Sequence, residues 1–308
     1  MKRFLQLLIL ALPILTLQAQ DDGTIDNSFL PNNNGQKGIE GTINSIAQQP
    51  DGKLIVGGAF QSYNQIDKKS LVRLNQDGSM DLDFNQTNLR VGGFGNSAPN
   101  ITSVIIQPDG KIIIGGGFIV TTPFPEEDTI EEDIMRLNAD GTRDETFIAP
   151  ESTSGCGDIT DIALQPDGKI IVVGDIPFCV GSTIDNNENI LRLNADGSID
   201  ETFTVIADDT TFDFSEEPIN SVVVQPDGKI VIAGNFNEVN GVAQLRLARL
   251  NSDGTLDTSF NIGTGFNEVV NDIELQSDGK ILVVGDFNEF NGVVHNQVVR
   301  LNTDGTID

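Results

Sequence analysis

Ile219-Asn220-Ser221-Val222-Val223-Val224-Gln225, then Pro226-Asp227-Gly228, then Lys229-Ile230-Val231-Ile232-Ala233-Gly234-Asn235-Phe236 is the stretch on which the fold turns. Two β-branched runs flank an Asp-Gly step, the pattern of a β-hairpin. Asn240-Gly241 repeats that turn chemistry and opens Val242 to Asn251, and Asp253-Gly254 repeats it once more and opens Thr255 to Phe260. The unit reads as a meander of four antiparallel strands.

This unit recurs. Gln-Pro-Asp-Gly-Lys at 225–229 is also found at 49–53, 107–111 and 165–169, with Gln-Ser-Asp-Gly-Lys at 276–280. Arg-Leu-Asn follows each copy, at 73–75, 136–138, 192–194, 249–251 and 300–302. Successive aspartates of the first phrase lie 58, 58, 60 and 51 residues apart, a period that marks a repeat architecture. The repeats run approximately over 39–90, 91–150, 151–207, 208–262 and 263–308 within a domain of residues 20–308. Runs such as Val104-Ile105-Ile106 and Ile112-Ile113-Ile114 do not alternate, so these strands are covered on both faces. Sheets packed face to face around an axis provide that cover. The expectation is an all-β propeller of about five four-stranded antiparallel blades. No segment keeps a 3.6-residue period through the glycines, which excludes a helical solenoid. Ten of the seventeen phenylalanines occupy two repeat positions, Phe60, Phe118, Phe178, Phe236, Phe287 and Phe29, Phe84, Phe147, Phe203, Phe260, and read as wedges between blades.

Residues 1–19 carry Lys2 and Arg3 ahead of an apolar run and end on Ala19, the pattern of a secretory signal peptide. The expectation is a secreted or cell-surface protein, without membrane insertion and monomeric. The chain has 46 acidic against 18 basic residues, a net charge of -28. Such a field repels nucleic-acid phosphates and anionic lipid. Export permits a disulfide between the two cysteines, Cys156 and Cys179. If Asp167-Gly168 is a two-residue turn, positions summing to 335 face each other, and these two do.

The phrases Gln-Pro-Asp-Gly-Lys-Ile, Gly-Gly-x-Phe or Gly-Asp-Phe, and Arg-Leu-Asn-x-Asp-Gly-Ser/Thr-x-Asp-x-x-Phe resemble the delta-60 repeat family of bacterial β-propellers, over residues 21 to 308. The resemblance implies an exported or surface protein of undefined activity. Departures fall at Asp175-Ile176-Pro177-Phe178-Cys179 and at an acidic insertion, Thr121 to Glu132. Residues 21–30 hold a detached copy of a last strand, while Asp304 to Asp308 begin the same strand again. The two copies compete for one sheet edge, which suggests a piece of a longer array; a five-blade ring closed by the N-terminal copy is the alternative.

Asn-x-Asp-Gly-Ser/Thr-x-Asp spaces oxygen ligands at positions one, three and seven, which suits calcium. The candidates are Asp77, Asp81, Asp140, Asp144, Asp196, Asp200, Asp253 and Asp257. The glycine lies at position four and no closing glutamate follows, so turn formation accounts for the motif as well. The repeated lysines and arginines read as an interblade salt bridge or carbonyl contact, or else as a cation ring around a central opening. Catalytic signals are sparse: a single histidine, His295, aligned with Gln244, and no nucleophile elbow, zinc helix or phosphate loop. Absence of Trp and a single Tyr, Tyr63, disfavour sugar platforms. The sequence points to a non-enzymatic scaffold or protein-interaction module with no cofactor. The alternatives are a calcium-stabilised adhesin or ligand-binding surface protein, and a central-channel hydrolase or lyase. The loops Thr121 to Glu132 and Thr204 to Glu217 are the candidates for specificity.

Overall fold

Each Gln-Pro-Asp-Gly-Lys phrase closes a hairpin through a three-residue loop. In the fourth copy Gln225 N–H donates to Lys229 C=O (2.8 Å), Gly228 N–H donates to Gln225 C=O (2.8 Å), and Gly228 takes φ 84°. Proline presets the first corner of a type I turn and glycine supplies the left-handed residue that follows it. This overturns the two-residue turn assumed from sequence. In the third copy the paired positions are Ile162 with Val172 and Leu164 with Ile170, one residue away from the assumed register, and a bulge between Ile159 and Asp161 shifts it further. The register argument for a Cys156–Cys179 bond therefore fails. The cysteines lie outside the described residues, which in this computed structural model are 29, 38–84, 100–121, 129–150, 159–174, 176, 189–205, 207–208 and 219–308, with backbone alone at 118–121, 129–131 and 207–208.

Among the described residues there is no helix, and five sheets carry the repeat. Their inner, middle and outer strands are Ile39–Gln48, Leu54–Tyr63 and Leu71–Leu74 in sheet one; Asn100–Ile106, Ile112–Thr121 and Thr129–Leu137 in sheet two. Sheet three has Ile159–Leu164, Ile170–Gly174 and Ile190–Leu193; sheet four Ile219–Val224, Ile230–Gly234 and Leu247–Leu250; sheet five Val270–Leu275, Ile281–Gly285 and Val298–Leu301. All pairings are antiparallel.

The expected fourth strand shrinks to one bridge per repeat, Leu250 with Leu256 being the example in sheet four. One residue later the chain is needed elsewhere: Asp257 N–H donates to Arg249 C=O (2.8 Å), and Phe260 N–H donates back to Asp257 C=O (3.2 Å). That turn swings the phenylalanine onto the arginine instead of extending a strand. The Val242-to-Asn251 strand is likewise broken. Asn240 and Gly241, at φ 51° and 74°, close a tight hairpin of Glu238–Val239 with Val242–Ala243, and Arg246 at φ 70° re-aims the chain before Leu247.

The core lies between sheets. Ile112 and Ile114 pack with Ile55 and Leu71 of sheet one, whereas Ile113 packs with Ile159 and Ile162 of sheet three. Successive side chains of a strand point to opposite faces, so a sheet clad on both sides makes an unbroken apolar run. Phe84, Phe147, Phe203 and Phe260 are buried near the sheet margins; Phe60, Phe236 and Phe287 are fully enclosed. Phe29 is exposed, and Phe178 and the Phe118 side chain fall outside the described residues.

Candidate functional site

The repeated charges converge on the second aspartate of each acidic phrase. Asp257 Oδ2 accepts from Lys229 Nζ (2.7 Å) and Arg249 Nε (2.7 Å), and its Oδ1 accepts from Ser259 N–H (3.0 Å) and hydroxyl (2.6 Å). The Arg249 guanidinium stacks over Phe260, 4.6 Å from the ring centre, and donates through Nη1 to Thr303 C=O of sheet five (2.6 Å). Asp81, Asp144 and Asp200 are held in the same way by their own lysine and arginine. Burial pushes the Asp144 and Asp257 carboxyls up. Hydrogen bonds from lysine, hydroxyl, backbone and arginine outweigh it and hold both well below the usual carboxylate range; Asp200, bonded first of all by Lys169, is also held low. The cations bound at these four positions are the protein's own. Asp77, Asp140, Asp196 and Asp253 instead cap a turn, as where Asp253 Oδ1 accepts from Thr255 N–H (3.0 Å) and hydroxyl (2.7 Å). Among the described residues no three His, Cys, Asp or Glu side chains gather as metal ligands. The arginines thus make both the salt bridge and the intersheet carbonyl contact, and neither they nor the lysines line the axial cavities.

Those cavities define the axis. One of about 540 Å³ is lined by Gln49, Pro50, Ile106, Gln107, Pro108 and Leu164; a second of about 290 Å³ by residues that include Gln107, Leu164, Val224 and Leu275. Four sheets contribute to the second, so their inner strands converge on a common centre. Neighbouring inner strands are joined there by side chains. Val104 N–H donates to Ser45 Oγ (3.0 Å), Ile162 N–H to Ser103 Oγ (3.3 Å), Val222 N–H to Asp161 Oδ2 (3.0 Å) and Ile273 N–H to Ser221 Oγ (3.3 Å). One residue earlier, Asn44, Thr102, Thr160 and Asn220 donate across the same joints to backbone carbonyls.

The serine position is occupied by aspartate in two sheets, and the Ser221 hydroxyl lies between these two acids. Ser221 hydroxyl lies 2.8 Å from Asp272 Oδ1 and 3.4 Å from Asp161 Oδ2, while Ser103 hydroxyl donates to Asp161 Oδ1 (2.8 Å). Burial dominates at Asp161 and pushes its carboxyl up to about 6, against hydrogen bonds from Val222, Ser103 and Ile162. Asp272 is exposed. The cluster escaped the sequence reading because a serine within an apolar run signals little. Reading the repeats in register, Ser45, Ser103, Asp161, Ser221 and Asp272, is the comparison that finds it.

The other candidates fall elsewhere. His295 N–H donates to Asn288 C=O (2.9 Å) as Gln244 N–H does to Asn237 C=O, so the alignment of these two holds and the histidine sits in a hairpin margin. Part of the acidic insertion is strand: Thr121 pairs with Thr129 and Phe118 with Glu132, whose carboxylate accepts from Arg143 (2.6 Å). Residues 122–128 of the first specificity loop and 206 and 209–217 of the second lie outside the described residues.

The chain matches the family described as "Domain of unknown function (DUF5122) beta-propeller" over residues 49–84, 107–124, 132–147, 165–203, 225–260 and 276–308. It belongs to that family. No curated protein matches. Among solved structures it is similar to the gluconolactonase XC5397 of Xanthomonas campestris (15% identity, TM-score 0.42, 79% of this chain and 69% of that one). It is similar also to a glucose dehydrogenase (11%, 0.42, 86% and 96%) and to virginiamycin B lyase of Staphylococcus aureus (14%, 0.41, 86% and 83%). Likeness at this level concerns the fold alone and carries no activity over. It does correct the expectation of a non-enzymatic scaffold: propellers named as enzymes share the architecture, so a propeller repeat by itself gives no ground for excluding catalysis.

Proposed function

We propose that this is an exported propeller, of the delta-60 type to judge from its repeat phrases, whose axial channel binds a small uncharged or cationic, hydroxyl- or amine-bearing molecule beside Asp161 and Asp272. There the Asp161 carboxyl exchanges a proton with it. One observation carries the reading: two aspartates occupy a position where serine suffices. Ser45 and Ser103 show that the joint needs only a single neutral acceptor, so a carboxylate brings a charge for which the joint has no use. A carboxyl raised to about 6 holds a removable proton close to neutral pH, the condition for acid–base work, and the exposed Asp272 leaves a carboxylate open to a ligand beside it. Net charge of -28 sets the ligand's sign by repelling anions.

Calorimetric titration of the full chain with neutral polyols and with primary amines tests this. Binding by one class, lost in Asp272→Asn with an unchanged melting temperature, supports the site, because Asp272 is exposed and asparagine keeps an acceptor for Ser221. Equal binding by wild type and Asp272→Asn would remove the acids from the reading. Sequencing the N-terminus of protein recovered outside the cell checks export and cleavage near Ala19.

A further inference from the structure

The Gln-Pro-Asp-Gly-Lys turns join inner to middle strands, so they gather at one end of the axis, around the smaller cavity. Sheets two, three and four supply its wall there, through Gln107, Pro108, Leu164, Gln165, Pro166 and Val224. Gln107 and Gln165 are 8% and 3% exposed, and the amide oxygen of each accepts no hydrogen bond. A buried acceptor without a donor is costly, and most find some partner. The fourth repeat shows which donor suits this one: Gln225 Oε1 accepts from the Arg249 guanidinium, with Nη1 at 3.3 Å. In repeats two and three the corresponding Nη1 of Arg136 and Arg192 donates to the carbonyls of Ala195 and Ser252, and the glutamine oxygens stay open. Asp109, Asp167 and Asp227 are exposed at the tips of these turns. The lysine of each phrase pairs with another carboxylate: Lys111 with Asp144, Lys169 with Asp200 and Lys229 with Asp257. The mouth therefore sets uncharged acceptors on an apolar wall within a rim of acids.

We propose that this mouth receives an arginine side chain from a basic segment of a partner protein. A guanidinium carries five N–H donors and no acceptor, so it presents these oxygens with what they lack. Its methylene stem suits Leu164, Val224 and the proline rings, and the rim carboxylates attract it together with the basic residues beside it. The occupant is argued from charge complementarity and from the donor that the fourth repeat already supplies to the same oxygen. The mouth is separate from the acids of the joint. Asp161 lies three residues before Leu164 on the inner strand, on the order of 10 Å away.

Calorimetric titration of the full chain with a capped Gly-Ser-Arg-Ser-Gly peptide tests this against the same peptide carrying citrulline, the uncharged isostere of arginine. The arginine peptide should bind, weaken as salt is added, and exceed the citrulline peptide by about tenfold, the worth of a charge-assisted hydrogen bond. Gln107→Leu should weaken binding by about tenfold, and Gln107→Glu, which sets a carboxylate at the same place, should strengthen it by a like factor. The opposed signs separate a change in binding from a defect in folding. Asp272→Asn should leave the affinity unchanged. Loss in that variant would place the peptide at the acids of the joint, overturning this site while favouring the reading above. No binding by the arginine peptide, equal binding by the citrulline peptide, or an affinity indifferent to both Gln107 variants would each overturn the proposal.

Discussion

Arginine 249 illustrates how one side chain serves three partners: the Asp257 carboxylate, the Phe260 ring and the Thr303 carbonyl of the neighbouring sheet. Arg249→Ala leaves the buried Asp257 with Lys229 as its one cation beside the Ser259 hydrogen bonds, and the loss of half of a buried pair costs about 3 kcal/mol. Urea unfolding should show that loss, while Arg300→Ala, at a largely exposed position, leaves the midpoint nearly unchanged. Acid should act in two opposite senses. Asp81, Asp144, Asp200 and Asp257 are held low in the folded state, so their contribution is present above the ordinary carboxyl pKa of about 4 and is lost as pH falls below it. Asp161 is raised to about 6, so its contribution is present below about 4 and is lost as pH rises through 6. Between pH 4.5 and 7 wild type should therefore lose stability relative to Asp161→Asn, on the order of 1–3 kcal/mol by chemical denaturation.

At the scale of the element, two turns of the same composition obey different constraints. Gly254 has φ 92°, and a Cβ built there would meet Phe203 and Val205 of the preceding sheet at 3.0 Å. Gly241 has φ 74° with open space around it. Gly241→Ala should cost only the left-handed backbone term, about 1 kcal/mol. Gly254→Ala adds displacement of a packed ring, typically a further 1–3 kcal/mol, so its melting temperature should fall well below that of the Gly241 variant. The Asn-x-Asp-Gly turn is thus part of the joint between sheets as well as a reversal of the chain.

Across the whole molecule, stability in a repeat array is close to a sum of unit and nearest-neighbour terms. Among the described residues Ile43 and Ile46 of sheet one and Val298 of sheet five are exposed where their counterparts in sheet four are buried, so opening should begin in these two sheets. Amide exchange followed by mass spectrometry should find the middle strands Ile170–Gly174 and Ile230–Gly234 protected most, and Ile39–Gln48 and Val298–Leu301 least. Uniform protection across the five sheets would mean that the faces of sheets one and five are covered in solution.

The residues alone determined that the chain is all-β, repeated with a period near 58 and clad on both faces of its strands. Unbroken runs such as Ile112-Ile113-Ile114 have no other stable solution among extended strands. Local chemistry also determined where the turns fall, because Asp-Gly and Asn-Gly supply positive φ wherever they occur. Loop length was not legible: one residue decides between a two-residue and a three-residue loop, and proline settles it only through the hydrogen bonds of Gln225, Gly228 and Lys229. The fourth strand was misread for a related reason, since Asp257 and Phe260 are drawn to an arginine whose position depends on the neighbouring sheet. Only the tertiary structure could bring Asp161, Ser221 and Asp272 together, because they come from three repeats some 50 to 60 residues apart and meet where inner strands converge on one axis.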